Sequence, residues 1–495
     1  MNDHPLDPTP LGNSIPENIQ RAMSFSAKGF PYASLELLEA TLGLATTEES
    51  SATVHDAIGL ISVGISQIHD ALEHFITAVR KSYSDRNQLR YQMHEAMAYG
   101  YLSQHDRAQR LLTHLVAISS TSDLKLHSRL CANLAVSQAY NEFYREALEN
   151  TCTALGYARE THDRQFEATL LNNLGHLQIE LGAYKEAEHS LLRALELFET
   201  PPLPTLTELG RLYLAQEQYD QCVVYAQQAV RMVWSSILNY EREEIARLCN
   251  LLAHLAYHLG ELNVALRLLE KSQLLFGQLS MWSQWQQAQS LMDSWRTHPK
   301  RYVHIDSLYE VDLDGIREFL FLFDAMNAQE LTHRAFSALT DTRVQTVQAL
   351  CSAMGVPEED MNDVIYAARF ADYGLTALEP EVIENPYRSA YALQQYQQHP
   401  DLSIRMLQVT TVPARVLDII RDHHEHWDGS GFPSGKREGQ ITPLAQVLAA
   451  ADVYATEIVQ NHKRHSAALQ TVEEAAGHIL SPGVVQSFTR LFNEI

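Results

Sequence analysis

Near the C-terminal end, Asp422-His423-His424-Glu425-His426-Trp427-Asp428-Gly429-Ser430-Gly431-Phe432-Pro433 gathers imidazoles and carboxylates beside a glycine-rich turn. Neutral imidazole nitrogens are good metal donors, and a glycine-rich loop can cradle phosphate, so the stretch suits a metal site or a phosphate pocket. Two neighbouring histidines are also compatible with ordinary polar positions. Upstream, Val412, Val416, Ile419 and Ile420 recur at helical spacing, and the same face extended by a turn reaches His423 and His424. Both rings are therefore expected to point inward. Downstream, Thr442-Pro443 reads as a capped helix start, and Asp452 falls on the apolar stripe of Leu444, Val447, Leu448, Ala451, Tyr454 and Ala455. Asp372 likewise continues the face of Met361, Val364, Ile365 and Ala368. A carboxylate facing a core is costly unless a cation, a metal or several donors meet it. Helices must therefore bring Asp372, Asp452 and the histidine pair to such partners.

The ordered string His423-His424-Glu425, Trp427-Asp428-Gly429-Ser430-Gly431-Phe432-Pro433, Ile441-Thr442-Pro443-Leu444-Ala445 and Ala451-Asp452-Val453-Tyr454 resembles the second half of an HD-GYP domain. That family is a helical, metal-dependent phosphohydrolase fold whose active members cleave cyclic di-GMP. Its Gly-Tyr-Pro tripeptide stands here as Gly431-Phe432-Pro433, which keeps the ring and loses the hydroxyl. Upstream, Ala367-Ala368-Arg369-Phe370-Ala371-Asp372-Tyr373-Gly374 aligns with the family's His-Asp signature, with Ala371 in place of the histidine and Asp372 retained. His399-Pro400-Asp401-Leu402 matches the next ligand block, on a helix expected to start at Asn385-Pro386. The family lysine after the His-Asp pair falls on Leu375, and an earlier ligand histidine before an Arg-Val pair falls near Thr340, ahead of Arg343-Val344. Ala455 replaces a later aspartate, and Lys463-Arg464-His465 replaces an Arg-Pro-Tyr segment.

The resemblance implies metal ligation by Asp372, His399, His423, His424 and Asp452, with the imidazoles of one metal missing. It thus implies at most one divalent ion, Fe, Mn or Zn, or none. It implies no confident catalytic residue, since Ala371 and Leu375 stand where a His and a Lys are expected. The loop of Asp428, Gly429, Gly431, Phe432 and Pro433 is in the family linked with partner docking, notably to diguanylate cyclase domains. Its glycines are equally explained as turn formers.

The 495 residues exceed one ordinary domain, and a hydrophobic share of 45% suffices for well-formed cores. A net charge of −24 opposes a nucleic-acid backbone as partner. The start has no basic, apolar leader pattern, and no stretch reaches bilayer length, so a cytoplasmic protein without a membrane segment is expected. Cys131, Cys152, Cys222, Cys249 and Cys351 lack paired spacing and read as buried reduced thiols.

Between residues 17 and 290 the dominant feature is repetition. Ala33, Ala71, Ala108, Ala147, Ala187, Cys222 and Ala265 recur at intervals of 35 to 43 residues, each early in a second helix, with large apolar residues such as Leu37, Phe75, Leu112, Leu191 and Leu269 following. Small residues at this place let two antiparallel helices meet closely. Leu174-Gly175, Leu181-Gly182-Ala183-Tyr184, Ala187, Leu191, Ala194 and Pro201-Pro202 resemble a tetratricopeptide repeat, as do Leu209-Gly210, Tyr213, Tyr219, Cys222 and Ala229. Stacked pairs of this kind make a solenoid whose concave face binds peptides or proteins. The alternative is an array that spaces a domain or joins two protomers as a homodimer. Trp282, Trp285 and Trp295 are expected to close the last apolar edge.

The expected organisation is all-α. It comprises a disordered tail over 1–16, about seven helix pairs over 17–295, a linker over 296–312 containing the extended Val303-His304-Ile305-Asp306, and a divergent HD-GYP domain over 313–495. Three functional readings follow: a regulatory or binding member of cyclic di-GMP signalling with lost or reduced phosphodiesterase activity, an active phosphodiesterase with an altered metal set, and a scaffold that binds neither nucleotide nor metal.

Overall fold

A computed structural model of the chain describes residues 12, 14–119, 123–198, 200–236, 242–298, 313–332 and 335–493. Among these the regular elements are all helices, with one isolated bridge between Ala476 and Leu480. The tail over 1–16 lies largely outside the described residues, as do the linker from 299 onward and Val303-His304-Ile305-Asp306 within it. No described helix is long and apolar enough to cross a membrane. The cysteines are free; four are buried, and Cys152, expected to be buried, is exposed.

The chain divides into two compact units, residues 68–320 and residues 1–67 together with 321–495. In the first, helices alternate from Ile68–Lys81 to Leu262–Gln278, and Trp282–Thr297 follows. Each aligned small residue here, Ala71, Ala108, Ala147, Ala187, Cys222 and Ala265, is fully buried at the fourth position of its helix. The reason is steric. A Cβ added at Gly175 would come within 2.4 Å of Leu191 Cγ, so the Leu-Gly of one helix receives the large residue of the next. Trp295 stacks on Tyr257 at 4.2 Å and is buried, Trp285 is half-buried and Trp282 is exposed, so of the three rings Trp295 closes the last edge most fully.

Charged side chains tie successive first helices together. Arg211 binds Glu208 at 2.7 Å and Glu180 at 2.6 Å, and Arg247 binds Glu208 at 3.0 Å and Glu243 at 2.6 Å. Glu208 is held well below the usual carboxylate range: burial opposes its charge, but Arg211, His176 and Arg247 outweigh that.

The second unit differs from the expected boundaries. Helices Ile15–Ala27, Pro31–Leu42 and Glu48–Gly64, expected to open the solenoid, belong with the C-terminal helices. Buried aromatic surface is the cause. Phe30 is 1% exposed and lies 6.0 Å from the rings of Tyr454 and Phe488 and 4.6 Å from that of Phe492. Phe25 meets Phe492 at 5.8 Å, and Ser466 N–H donates to Glu36 at 3.0 Å. The repeat pattern thus runs on into helices that pack elsewhere.

Candidate metal centre

The histidine pair sits where a short amphipathic helix stops. Helix Ala414–Asp422 buries Val416, Ile419 and Ile420, and His423 caps it, so the helix ends several residues before the glycine-rich loop. His399 opens its own helix, His399–Leu407, separate from the segment after Asn385-Pro386. Asp372 follows helix Glu358–Phe370. Gly374 lets these two elements meet: a Cβ there would lie 2.2 Å from His399 carbonyl oxygen. Ser403 clamps the approach, accepting from Gly374 N–H and donating to Ala371 carbonyl, both at 2.7 Å.

Asp372, His399, His423 and His424 converge, each offering a ligand atom within 4.8 Å of the others. His399 Nε2 lies 3.6 Å and His423 Nε2 3.9 Å from Asp372 Oδ1. His399 Nδ1 is 2.7 Å from Tyr396 carbonyl oxygen and His423 Nδ1 is 2.6 Å from that of Ile420. A carbonyl oxygen only accepts, so each Nδ1 carries the proton and each neutral ring presents the Nε2 lone pair inward. The Nε2 atoms of His399, His423 and His424 are all buried without a hydrogen-bond partner. Three orphaned imidazole nitrogens around one carboxylate are costly for an ordinary core and fit a divalent ion. The N and O donor set suits Zn, Fe or Mn.

Burial, only partly offset by Asp372, pushes His399 down to about 4, and it also lowers His423. His424 is lowered well below its ordinary value by burial and by the two neighbouring imidazoles. All three rings are thus neutral near pH 7, the form that ligates metal.

Asp452, expected as a ligand, lies outside this cluster. Its Oδ1 is 2.5 Å from Arg343 Nη2, a close ion pair, and the same nitrogen donates to Asp372 Oδ2 at 2.7 Å. Arg343 is 2% exposed. Burial opposes its charge, but Asp372 and Asp452 raise it above its ordinary value; in return Arg343, against the cost of burial, holds Asp372 below the carboxylate range. Arg343 was legible in the sequence only as the neighbour of Val344. Thr340 and Ala371 are buried near the ends of their helices, and Thr340 Oγ1 has no partner. Leu375 is buried too.

The loop is held by carboxylates the sequence did not single out as structural. Glu425, fully buried, accepts from Ser434 N–H at 2.7 Å and Lys436 N–H at 2.9 Å. Asp422, also fully buried, accepts from Lys436 Nζ at 2.7 Å and from Thr442 Oγ1 at 2.7 Å. Thr442 thus spends its hydroxyl on Asp422 and does not cap its helix as expected. Gly431 lies where a Cβ would come within 2.2 Å of His426 N, and Gly429 takes a φ of +82°. Asp428 and Pro433 are exposed, and Asp428 accepts from Ser430 N–H at 2.9 Å. Phe432 turns toward the histidine cluster: its ring is 4.7 Å from His424, 6.1 Å from His399 and 6.3 Å from Tyr396.

Comparison with known proteins finds two families along the chain. Residues 325–483 match the HD domain family and residues 168–201 the tetratricopeptide repeat. The chain thus carries a tetratricopeptide repeat and, toward its C-terminal end, an HD domain. Among its relatives, a cyclic di-GMP phosphodiesterase of Thermotoga maritima is 28% identical over 153 residues, 30% of this chain and 42% of that protein. The cyclic di-GMP phosphodiesterase response regulator RpfG of Xanthomonas campestris is 26% identical over 163 residues, 31% of this chain and 43% of the relative. The match thus spans less than half of either relative. Response regulator aspartate phosphatase J of Bacillus subtilis is 29% identical over 139 residues, 27% of this chain and 36% of that protein. Among solved structures, a Rap protein complexed with competence and sporulation factor covers 57% of this chain and 85% of its own at 17% identity and a TM-score of 0.41.

Proposed function

We propose that this protein is a regulatory or binding member of cyclic di-GMP signalling, in which a tetratricopeptide solenoid takes a protein segment and the HD unit has lost most or all phosphodiesterase activity. The observation that carries the reading is the uneven site: Asp372 and three imidazoles with free Nε2 atoms on one side, and Thr340, Ala371 and Leu375 where two more imidazoles and a lysine are expected. Asp372, His399, His423 and His424 would hold one Fe, Mn or Zn ion, which would supply Lewis-acid polarisation of a phosphoryl oxygen. Leu375 offers no charge to a scissile phosphate, a contribution worth several kcal/mol in phosphoryl transfer. Cyclic di-GMP is then a ligand to be sensed. The loop of Gly429, Gly431, Phe432 and Pro433 remains the proposed docking element for a partner such as a diguanylate cyclase domain, with Pro433 as its exposed tip.

The names of the relatives favour a second reading, an active phosphodiesterase with an altered metal set. One experiment separates them. The purified chain is loaded with Fe, Mn or Zn, its metal content is measured, and linear and fully cleaved products of cyclic di-GMP are assayed beside nucleotide affinity. We expect one ion per chain, measurable affinity and negligible turnover, with turnover rising in the Ala371→His, Leu375→Lys variant. Robust wild-type turnover with two ions bound would refute the reading. Neither metal nor nucleotide would leave the scaffold.

A further inference from the structure

The side chains around the histidine cluster differ in exposure. Asp372, His399 and His423 are buried, whereas His424, Asp452, Tyr396 and Phe432 are each partly exposed, so a molecule arriving from solvent reaches the cluster past these four. Of that rim, Phe432 has no polar group, Asp452 is a carboxylate that repels an anion, and His424 belongs to the ligand set. Tyr396 remains. It ends helix Ala390–Tyr396, and its carbonyl accepts the Nδ1 proton of His399 at 2.7 Å, which ties it to the cluster through the backbone. Its ring lies 4.9 Å from that of His399, 6.4 Å from His424 and 6.3 Å from Phe432. Among the described residues its hydroxyl has no hydrogen-bond partner. Burial, followed by the carboxylates of Asp372 and Asp452, raises the phenol above its ordinary value, which puts the hydroxyl on the side of the cluster.

We propose that Tyr396 is a phosphate-binding residue, whose hydroxyl donates a hydrogen bond to a non-bridging oxygen of the phosphodiester that enters the cluster. The physical case is position and charge. The phenol is the one unengaged donor on the rim among the described residues, and a phosphodiester oxygen accepts but cannot donate. A hydrogen bond to a charged oxygen is roughly twice as strong as one between neutral groups. Leu375 brings no cation, so Tyr396 holds the phosphate without neutralising it. A neutral donor that meets the ligand equally before and during reaction lowers its dissociation constant and does little for turnover. The proposal thus deepens the reading that cyclic di-GMP is sensed, and rests on it. The ordinary alternative is a ring that only packs against His399 and His424; a phenylalanine would serve that role as well.

Two probes keep the proposal and that reading apart. Full-length wild type, Tyr396→Phe and Tyr391→Phe are loaded with Mn(II) and desalted; manganese per chain and melting temperature are measured, and cyclic di-GMP and inorganic phosphate are titrated separately by calorimetry. Tyr391, on the same helix and 66% exposed, is the control. Tyr396→Phe keeps the ring and the backbone carbonyl, so manganese content and melting temperature should stay at wild-type values. We expect it to bind both probes about 10- to 100-fold more weakly, with Tyr391→Phe within about twofold of wild type. Cyclic di-GMP bound equally by wild type and Tyr396→Phe would overturn the proposal and leave the reading standing. So would a weaker affinity accompanied by loss of manganese, which reports a damaged centre. Phosphate bound by wild type and more weakly by Tyr396→Phe, with cyclic di-GMP bound by neither, would support Tyr396 as a phosphate donor and reject the nucleotide reading. Neither probe bound by wild type would reject both.

Discussion

Acid should unfold the metal-free HD unit well above the carboxylate range, because its buried histidines fold in their neutral form. His399 and His465 are each pushed by burial from 6.5 down to about 4. Between those values the unfolded chain binds protons that the folded chain refuses, so stability rises with pH through the window, is complete above about 6.5, and is lost as pH falls. For a shift of this size linkage gives a loss of about 1.4 kcal/mol per histidine at pH 5.5 and about 2.6 kcal/mol at pH 4.5. Together the two rings cost about 3 kcal/mol at pH 5.5, a large part of a typical domain's 5–15 kcal/mol. His423 and His424, lowered by the same burial, add to it. The assay is urea unfolding of chelator-treated protein at pH 7.0, 5.5 and 4.5, read by hydrogen exchange in peptides from residues 399–424 and 443–474. His465→Gln keeps an acceptor for the Tyr454 hydroxyl, now 2.8 Å from His465 Nδ1, and removes one titration. It should remove about 1.4 kcal/mol of the pH 5.5 loss. A wild-type loss below about 0.5 kcal/mol between pH 7.0 and 5.5 would refute the argument that burial holds these rings neutral.

Three further outcomes are expected. Phe30→Ala should cost the HD unit about 3–5 kcal/mol, by urea unfolding, because the ring fills a seat among Tyr454, Phe488 and Phe492; a chain lacking residues 1–67 should then expose that seat and bind a hydrophobic dye. Gly175→Ala should lower solenoid stability by about 1–3 kcal/mol through its clash with Leu191, with metal content unchanged, as calorimetry and metal analysis would report. Phe432→Asp should weaken metal retention as well as docking, since its ring lies 4.7 Å from His424; dialysis against a chelator measures the first and partner pull-down the second.

The sequence by itself determined what is local or periodic. The small residues at Ala71, Ala108, Ala147, Ala187, Cys222 and Ala265 mark the helix pairs because close helix approach leaves room for nothing larger, and each is fully buried. The histidine pair and its glycine loop were legible because contiguous residues fix a turn and a helix end. Asp372 and Asp452 stood out as carboxylates on apolar faces, but the sequence could not say what neutralises them. Only the tertiary structure decided that, by bringing Arg343 from another helix to both. It also decided that the first three helices, repeat-like in pattern, belong with the C-terminal unit. A helical pattern specifies that a face must be buried, whereas the partner that buries it depends on distant side chains, here the aromatic seat that receives Phe30.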